Sequence, residues 1–118
     1  MKWGHAYEVV GREKLLYTVL SWILAQSSPI DKWLNKILAV DGGLGGDPGW
    51  EMEHMSKGNG RGGFRVWADP EVAGIEPEEQ FYRDADVYQA LRESLVAFGQ
   101  AHPERKGEVS EAIRRYKL

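Results

Sequence analysis

The sequence predicts a mostly helical α+β fold in a single globular domain over residues 1–118. Three observations lead there. Apolar residues recur at three- and four-residue spacing near 12–26, 30–38, 81–98 and 109–116. Two short stretches, 50–55 and 64–67, alternate in the manner of strands, and a turn-rich, glycine-laden segment joins them. An N-terminal helical hairpin and a long C-terminal amphipathic helix, packed on a small antiparallel sheet, accommodate all three. With 118 residues, 42% hydrophobic and 28% charged, the chain can bury one core but not two.

In order along the chain, Trp3, His5, Tyr7 and Val9 alternate with Lys2, Gly4, Ala6 and Glu8, the pattern of a short strand ending at Gly11. From Arg12 to Gln26, Leu16, Val19, Leu20 and Ile23 form a helical stripe that Leu15, Trp22 and Leu24 widen until it nearly encircles the helix, so this helix should be largely buried. Ser28-Pro29 reads as a cap followed by proline at the first helical position, with Asp31 in the first turn where the helix dipole favours an anion. Ile30, Trp33, Leu34, Ile37 and Leu38 mark the buried face of this second helix, and Asp41-Gly42-Gly43 stops it.

Residues 41 to 63 hold most of the fourteen glycines. Within them Trp50 to Met55 reads as a strand, joined through Ser56 to Gly63 to the alternating Phe64 to Trp67 as a long-looped hairpin, and Asp69-Pro70 ends the second strand because proline cannot continue a ladder. Phe81, Ala85, Tyr88, Leu91, Leu95 and Phe98 then trace the long amphipathic helix, bracketed at its end by Gly99 and Pro103. Val109, Ala112, Ile113 and Tyr116 form the stripe of a terminal helix whose Arg114, Arg115 and Lys117 suit its C-terminal dipole.

Composition narrows function. The absence of cysteine excludes disulfides, thiolate catalysis and cysteine-held zinc, and suits a reducing compartment. The N-terminal residues lack the pattern of a secretory signal, and the longest apolar run, Leu15 to Ala25, falls well short of the roughly 20 residues that cross a bilayer, so a cytoplasmic protein without membrane association is expected. The formal net charge of −3 argues against nucleic acid as the main ligand.

The short motifs fail their structural context. Gly58-x-Gly60-x-x-Gly63 matches a dinucleotide-binding pattern in letters, but that chemistry needs a strand before it and a helix after it, and here a strand follows. Lys57, Arg61, Arg65 and nearby Trp67 make a weak nucleic-acid signature. Asp47, Glu51, Glu53 and His54 are candidate metal ligands, yet on a strand Glu51 and Glu53 share a face that His54 does not. His5, His54, His102, Glu78 and Glu79 are the acid–base candidates, none with a sequence-adjacent activating partner, and no serine sits in a nucleophile elbow. No catalytic residue, metal ligand or cofactor is assigned. A small enzyme or ligand-binding domain, with a site assembled from His54, Glu51, Glu53 and Arg65 around the 41–65 loop, is the alternative.

The candidate partner surface is the acidic segment Asp69, Glu71, Glu76, Glu78, Glu79, Asp84 and Asp86, in which Arg83 is the single base. The bland reading is that these acids solvate a loop and that Glu78 and Glu79 start a helix. Of the five tryptophans, Trp3, Trp22, Trp33, Trp50 and Trp67, Trp22 and Trp33 fall on strongly apolar helices, whereas Trp50 and Trp67 flank the glycine-rich loop as candidate partner contacts.

A small, cysteine-free, acidic, tryptophan-rich chain, with Gly42-Gly43-Leu44-Gly45-Gly46-Asp47-Pro48-Gly49-Trp50 and Phe64-Arg65-Val66-Trp67-Ala68-Asp69-Pro70 as its distinctive stretches, resembles the immunity proteins that bacteria carry against contact-dependent growth inhibition and related polymorphic toxins. The resemblance implies tight one-to-one binding that neutralises a cognate protein toxin, often a nuclease, in a heterodimer. A nuclease must attract phosphate with a basic cleft, and an acidic protein can occupy or flank that cleft with electrostatically steered association. The family imposes no single fold, and the resemblance carries no site residues.

Overall fold

The computed structural model describes residues 8–26, 28–39, 42–46, 49–55 and 62–118. A 3-10 turn at Gly11–Glu13 leads into α1 (Lys14–Ala25), and α2 follows at Ile30–Leu38. The sheet comprises β1 (Gly43–Gly46), β2 (Trp50–Met55), β3 (Gly63–Ala68) and β4 (Glu79–Tyr82). A short α3 (Pro70–Ala73) interrupts the passage from β3 to β4, and α4 (Asp84–Ala101) and α5 (Lys106–Tyr116) close the chain. The four strands run antiparallel in the order β1-β2-β3-β4, so each pairs with its neighbour in sequence. The fold is α+β, as the sequence predicts.

Alternation decides which face each strand residue takes. Trp50 pairs with Ala68, Met52 with Val66 and Phe64 with Tyr82, and these residues are buried beneath the helices. α1 and α4 pack on each other and on β3, α2 packs on β1 and β2, and α5 lies against α2 and α4. One contiguous core results, with Leu16, Leu20, Leu34, Phe64, Leu91 and Leu95 among its members. Among the described residues no helix is long and apolar enough to cross a membrane.

Several elements differ from their sequence readings. Trp3, His5 and Tyr7 lie outside the described residues, and Gly11 opens the 3-10 turn. α1 and α2 are consecutive and expected to pair as a hairpin, yet α1 finds its helical partner in α4 and α2 finds its own in α5, while both also pack on the sheet. Gly42, expected to stop α2, instead turns the chain from α2 into β1. A Cβ there would stand 2.3 Å from the Lys36 carbonyl oxygen and 2.8 Å from that of Ala39. β1 itself, Gly-Leu-Gly-Gly, carried no strand signal. β4 captures Glu79 and Phe81, which the sequence reading placed at the start of the long helix. That helix begins at Asp84, and its buried stripe is Val87, Ala90, Leu91, Ser94, Leu95 and Phe98. Gly99 does not end α4. It lies inside the helix, where its bare Cα lets Val109 of α5 approach to ordinary contact distance of where a Cβ would stand.

The start of α2 is capped from a distance. Pro29 occupies the cap position and Ser28 gives no side-chain cap. The Ile30 amide donates instead to the Glu108 carboxylate at 2.7 Å, reached across 78 residues of sequence. Arg105 donates to Glu108 (2.8 Å) and to the Ser28 carbonyl (3.1 Å), fixing that carboxylate in place. The first-turn Asp31 accepts from the Tyr116 hydroxyl at 2.7 Å. Both ends of α5 are thereby tied to the first turn of α2.

Two predictions follow from this packing. Glu108→Ala should lower the unfolding free energy by about 1–2 kcal/mol, the worth of a helix cap with a charged acceptor, while Ser28→Ala should change it by under about 0.5 kcal/mol. Equal effects in urea denaturation would return the cap to Ser28. The second concerns high pH. Burial pushes the Tyr82 hydroxyl up to about 12. Burial, then the Glu93 carboxylate to which Tyr17 donates, pushes Tyr17 up as well. A raised phenol resists ionisation only when folded, so its stabilising contribution is full below the unfolded value near 10.0 and is lost as pH climbs through the folded value. Denaturation midpoints should hold steady to about pH 9.5 and fall above it, less steeply for Tyr17→Phe. An unchanged slope in that variant would contradict this assignment.

Candidate protein-binding face

The sheet face opposite the helices is built from the other half of the same alternation. Glu51 stands across from Trp67, Glu53 from Arg65, Arg65 from Phe81 and Trp67 from Glu79. These residues form three adjacent strand rows. Glu51, Glu53, Glu79 and Phe81 are exposed, and Arg65 and Trp67 are half-buried by their neighbours. Phe81 leaves 47% of its surface in water, so its ring adds apolar surface to this charged face.

Arg65 organises the face. Its guanidinium donates to Glu51 at 2.5 Å, to Glu79 at 2.9 Å and to Glu53 at 3.4 Å, tying β2, β3 and β4 together on the solvent side. Partial burial works against the cation, but hydrogen bonds and charge from Glu79, Glu51 and Glu53 outweigh it and hold the guanidinium above its ordinary value. Just before β4, Glu78 accepts from the Trp67 indole N–H at 3.3 Å. Four carboxylates, Glu51, Glu53, Glu78 and Glu79, thus surround one guanidinium and two aromatic rings.

The acidic segment singled out in the sequence divides into separate places. Asp69 caps α3 by accepting from the Glu71 amide at 2.9 Å, which occupies it structurally. Glu71 and Glu76 are exposed in the β3–β4 connection. Glu78 and Glu79 belong to the open sheet face. Asp84 and Asp86 start α4, where Asp86 pairs with Arg83 at 3.2 Å. Glu79 is therefore a strand residue rather than a helix start, and Glu78 precedes that strand. Of the two candidate tryptophans, Trp50 is core at 3% exposure and Trp67 lies on the open face.

His54 does not join Glu51, Glu53 and Arg65. It stacks on Phe64 with ring centroids 4.2 Å apart, on the inner side of the sheet. Its Nδ1 lies 3.2 Å from the Leu38 carbonyl, an acceptor that requires the proton on Nδ1, and its Nε2 lies 3.6 Å from Asp84 Oδ1. His102 ends α4, with Nδ1 3.1 Å from the Phe98 carbonyl and its ring stacked on Phe98. No cluster of three or more metal-ligating side chains occurs among the described residues, and Asp47, Lys57, Arg61 and His5 fall outside them.

Sequence reasoning placed Glu51 and Glu53 on one strand face but did not join them to Glu79, Trp67 and Phe81. The missing signal was β4, whose four residues read as the edge of a helix. No protein-family model, curated protein or solved structure matches the chain.

The Arg65 cluster is testable without a partner. Exposed ion pairs stabilise little, so Arg65→Met should cost no more than about 1 kcal/mol at low ionic strength, and the loss should shrink as salt screens the remaining glutamates from one another. A loss of several kcal/mol that ignores salt would show that Arg65 acts through packing.

Proposed function

We propose that this chain is a binding protein that neutralises a basic protein partner one-to-one through the open face of its sheet, in the manner of an immunity protein that silences a cognate toxin in the cytoplasm. The observation that carries the reading is the composition of that face: four carboxylates against one already satisfied guanidinium, with Trp67 and Phe81 set among them. Interfaces draw their affinity from a few aromatic anchors and their association rate from complementary charge, and this face offers both on a rigid element. A toxin that cleaves nucleic acid must present the opposite charge around its phosphate-binding cleft. The acids of the β3–β4 connection, Glu71 and Glu76, extend the same sign of charge beside the sheet.

The test begins with the complex. The protein is purified from its native cytosol at moderate salt, the stoichiometric partner is identified by intact-complex mass spectrometry, and suppression of that partner's toxic or nuclease activity is measured. The triple variant Glu51→Lys, Glu53→Lys, Glu79→Lys should bind at least about tenfold more weakly at low salt, with the gap closing at high salt as screening removes the charge term. Unchanged affinity at low salt would remove this face from the interface, and a partner whose activity is not suppressed would end the neutralisation reading.

A further inference from the structure

β1 and β4 are the two edges of the sheet, and they are not alike. In an antiparallel ladder, pairs that exchange both hydrogen bonds alternate with pairs that exchange none. The His54 amide donates to the Gly42 carbonyl at 2.8 Å, and the register places Gly43 opposite Glu53 and Leu44 opposite Met52. Gly42–His54 thus stands at a bonded position, although the Gly42 amide itself donates to the Ala39 carbonyl at 2.8 Å, and by alternation Leu44–Met52 and Gly46–Trp50 are bonded positions too. Gly43 and Gly45 are the members whose N–H and C=O turn away from β2, so the edge presents two donors and two acceptors, and both residues are exposed. On β4 the same alternation, set by the Ala68 amide donating to Glu78 at 3.0 Å, turns the backbone of Glu79 and Phe81 outward, where their side chains flank the edge. A charged side chain on an edge discourages pairing, and β1 carries none among its four residues.

The missing side chains leave a shallow trough of about 410 Å³ over β1, lined by Gly43, Leu44, Gly45, Glu51, Met52 and Glu53. Three carboxylates share the Arg65 guanidinium, so the cluster keeps two negative charges and unused acceptor sites. A strand added beside β1 would lie roughly 9–10 Å from β2, two interstrand spacings. A long cationic side chain crossing the glycine floor from one side and a glutamate reaching from the other close that gap.

We propose that the β1 edge is a docking site for an extended segment of a protein partner, paired antiparallel and carrying lysine or arginine at alternate positions. The backbone of Gly43 and Gly45 supplies the register, and Glu51 and Glu53 select the cationic side chains. In that register the basic residues stand opposite Gly43 and Gly45, so their own amides point at β1 while the amides between them point away. The proposal deepens the reading of the chain as a binding protein and commits it to one mode of engagement.

The probe is an eight-residue peptide of alternating lysine and valine, made unmodified, with N-methylated lysines, and with N-methylated valines, and titrated into the full-length protein. The unmodified and valine-methylated peptides should shift the Gly43 and Gly45 amide resonances and protect them from exchange. The lysine-methylated peptide, of equal charge, should bind at least about tenfold more weakly, because its donors toward β1 are gone. Equal binding of both methylated peptides would leave only diffuse attraction and overturn the proposal, as would the reverse order. A dimer in sedimentation, with both glycine amides protected before peptide is added, would assign the edge to a second copy and overturn it too. The protein is unaltered throughout, so misfolding cannot produce these outcomes. The peptide result also stands apart from the toxin reading: a neutralised partner that leaves both glycine amides unshifted would sink edge docking alone.

Discussion

A strand can commit only every second residue to a given face, and this chain packs its sheet-contacting helices on one face. That constraint orders the rest. Trp50, Met52, Phe64, Val66 and Tyr82 go under α1, α2 and α4, and the residues between them are left in water by arithmetic rather than by any local preference. Slipping β3 by one residue would bury Arg65 and Trp67 and expose Phe64 and Val66, so the hydrophobic pattern fixes the register and the register composes the open face. The binding surface proposed here is the complement of the core.

Much of this was legible in the sequence where the signal is local. α2, α5 and the β2–β3 hairpin each carry their own period over enough residues to be read without knowing what they pack against. The elements that were missed lack a local signal. β1 is three glycines and a single leucine, and glycine disfavours strands; the strand forms because Leu44 can pack against the core while Gly43 lies so close to β2 that a Cβ would stand 2.9 Å from the Met52 carbonyl oxygen. β4 was hidden by a coincidence of spacing, since Phe81 sits four residues before Ala85 and completes a helical stripe on paper. In three dimensions Phe81 faces solvent and the stripe begins with Val87. Missing β4 also concealed the site, because Glu79 meets Arg65 only through that strand.

The cap on α2 shows a different limit. Ser28-Pro29 is a sound local signature, and a serine hydroxyl there would have sufficed. The Glu108 carboxylate is a stronger acceptor, carries the charge that the helix dipole favours, and is steadied by Arg105, so a contact from the far end of the chain displaces the local one. The same contact ties α5 to α2, which local capping could not do. A charged acceptor supplied by tertiary structure leaves no trace in the sequence around the helix it caps.

The open face is hard to explain by folding alone. Exposed ion pairs contribute about 0–1 kcal/mol each, and a cluster of three glutamates on one arginine spends part of that gain on repulsion among the carboxylates. Replacing Glu51 or Glu79 by threonine would suit an exposed strand at least as well and relieve the excess charge. Phe81 gains nothing from water, and Trp67 is held upright by Glu78 rather than folded into the core. A net-acidic face on paired strands, with two aromatic rings set among its carboxylates, has the charge and the apolar surface that the proposed basic partner would need to be steered and anchored.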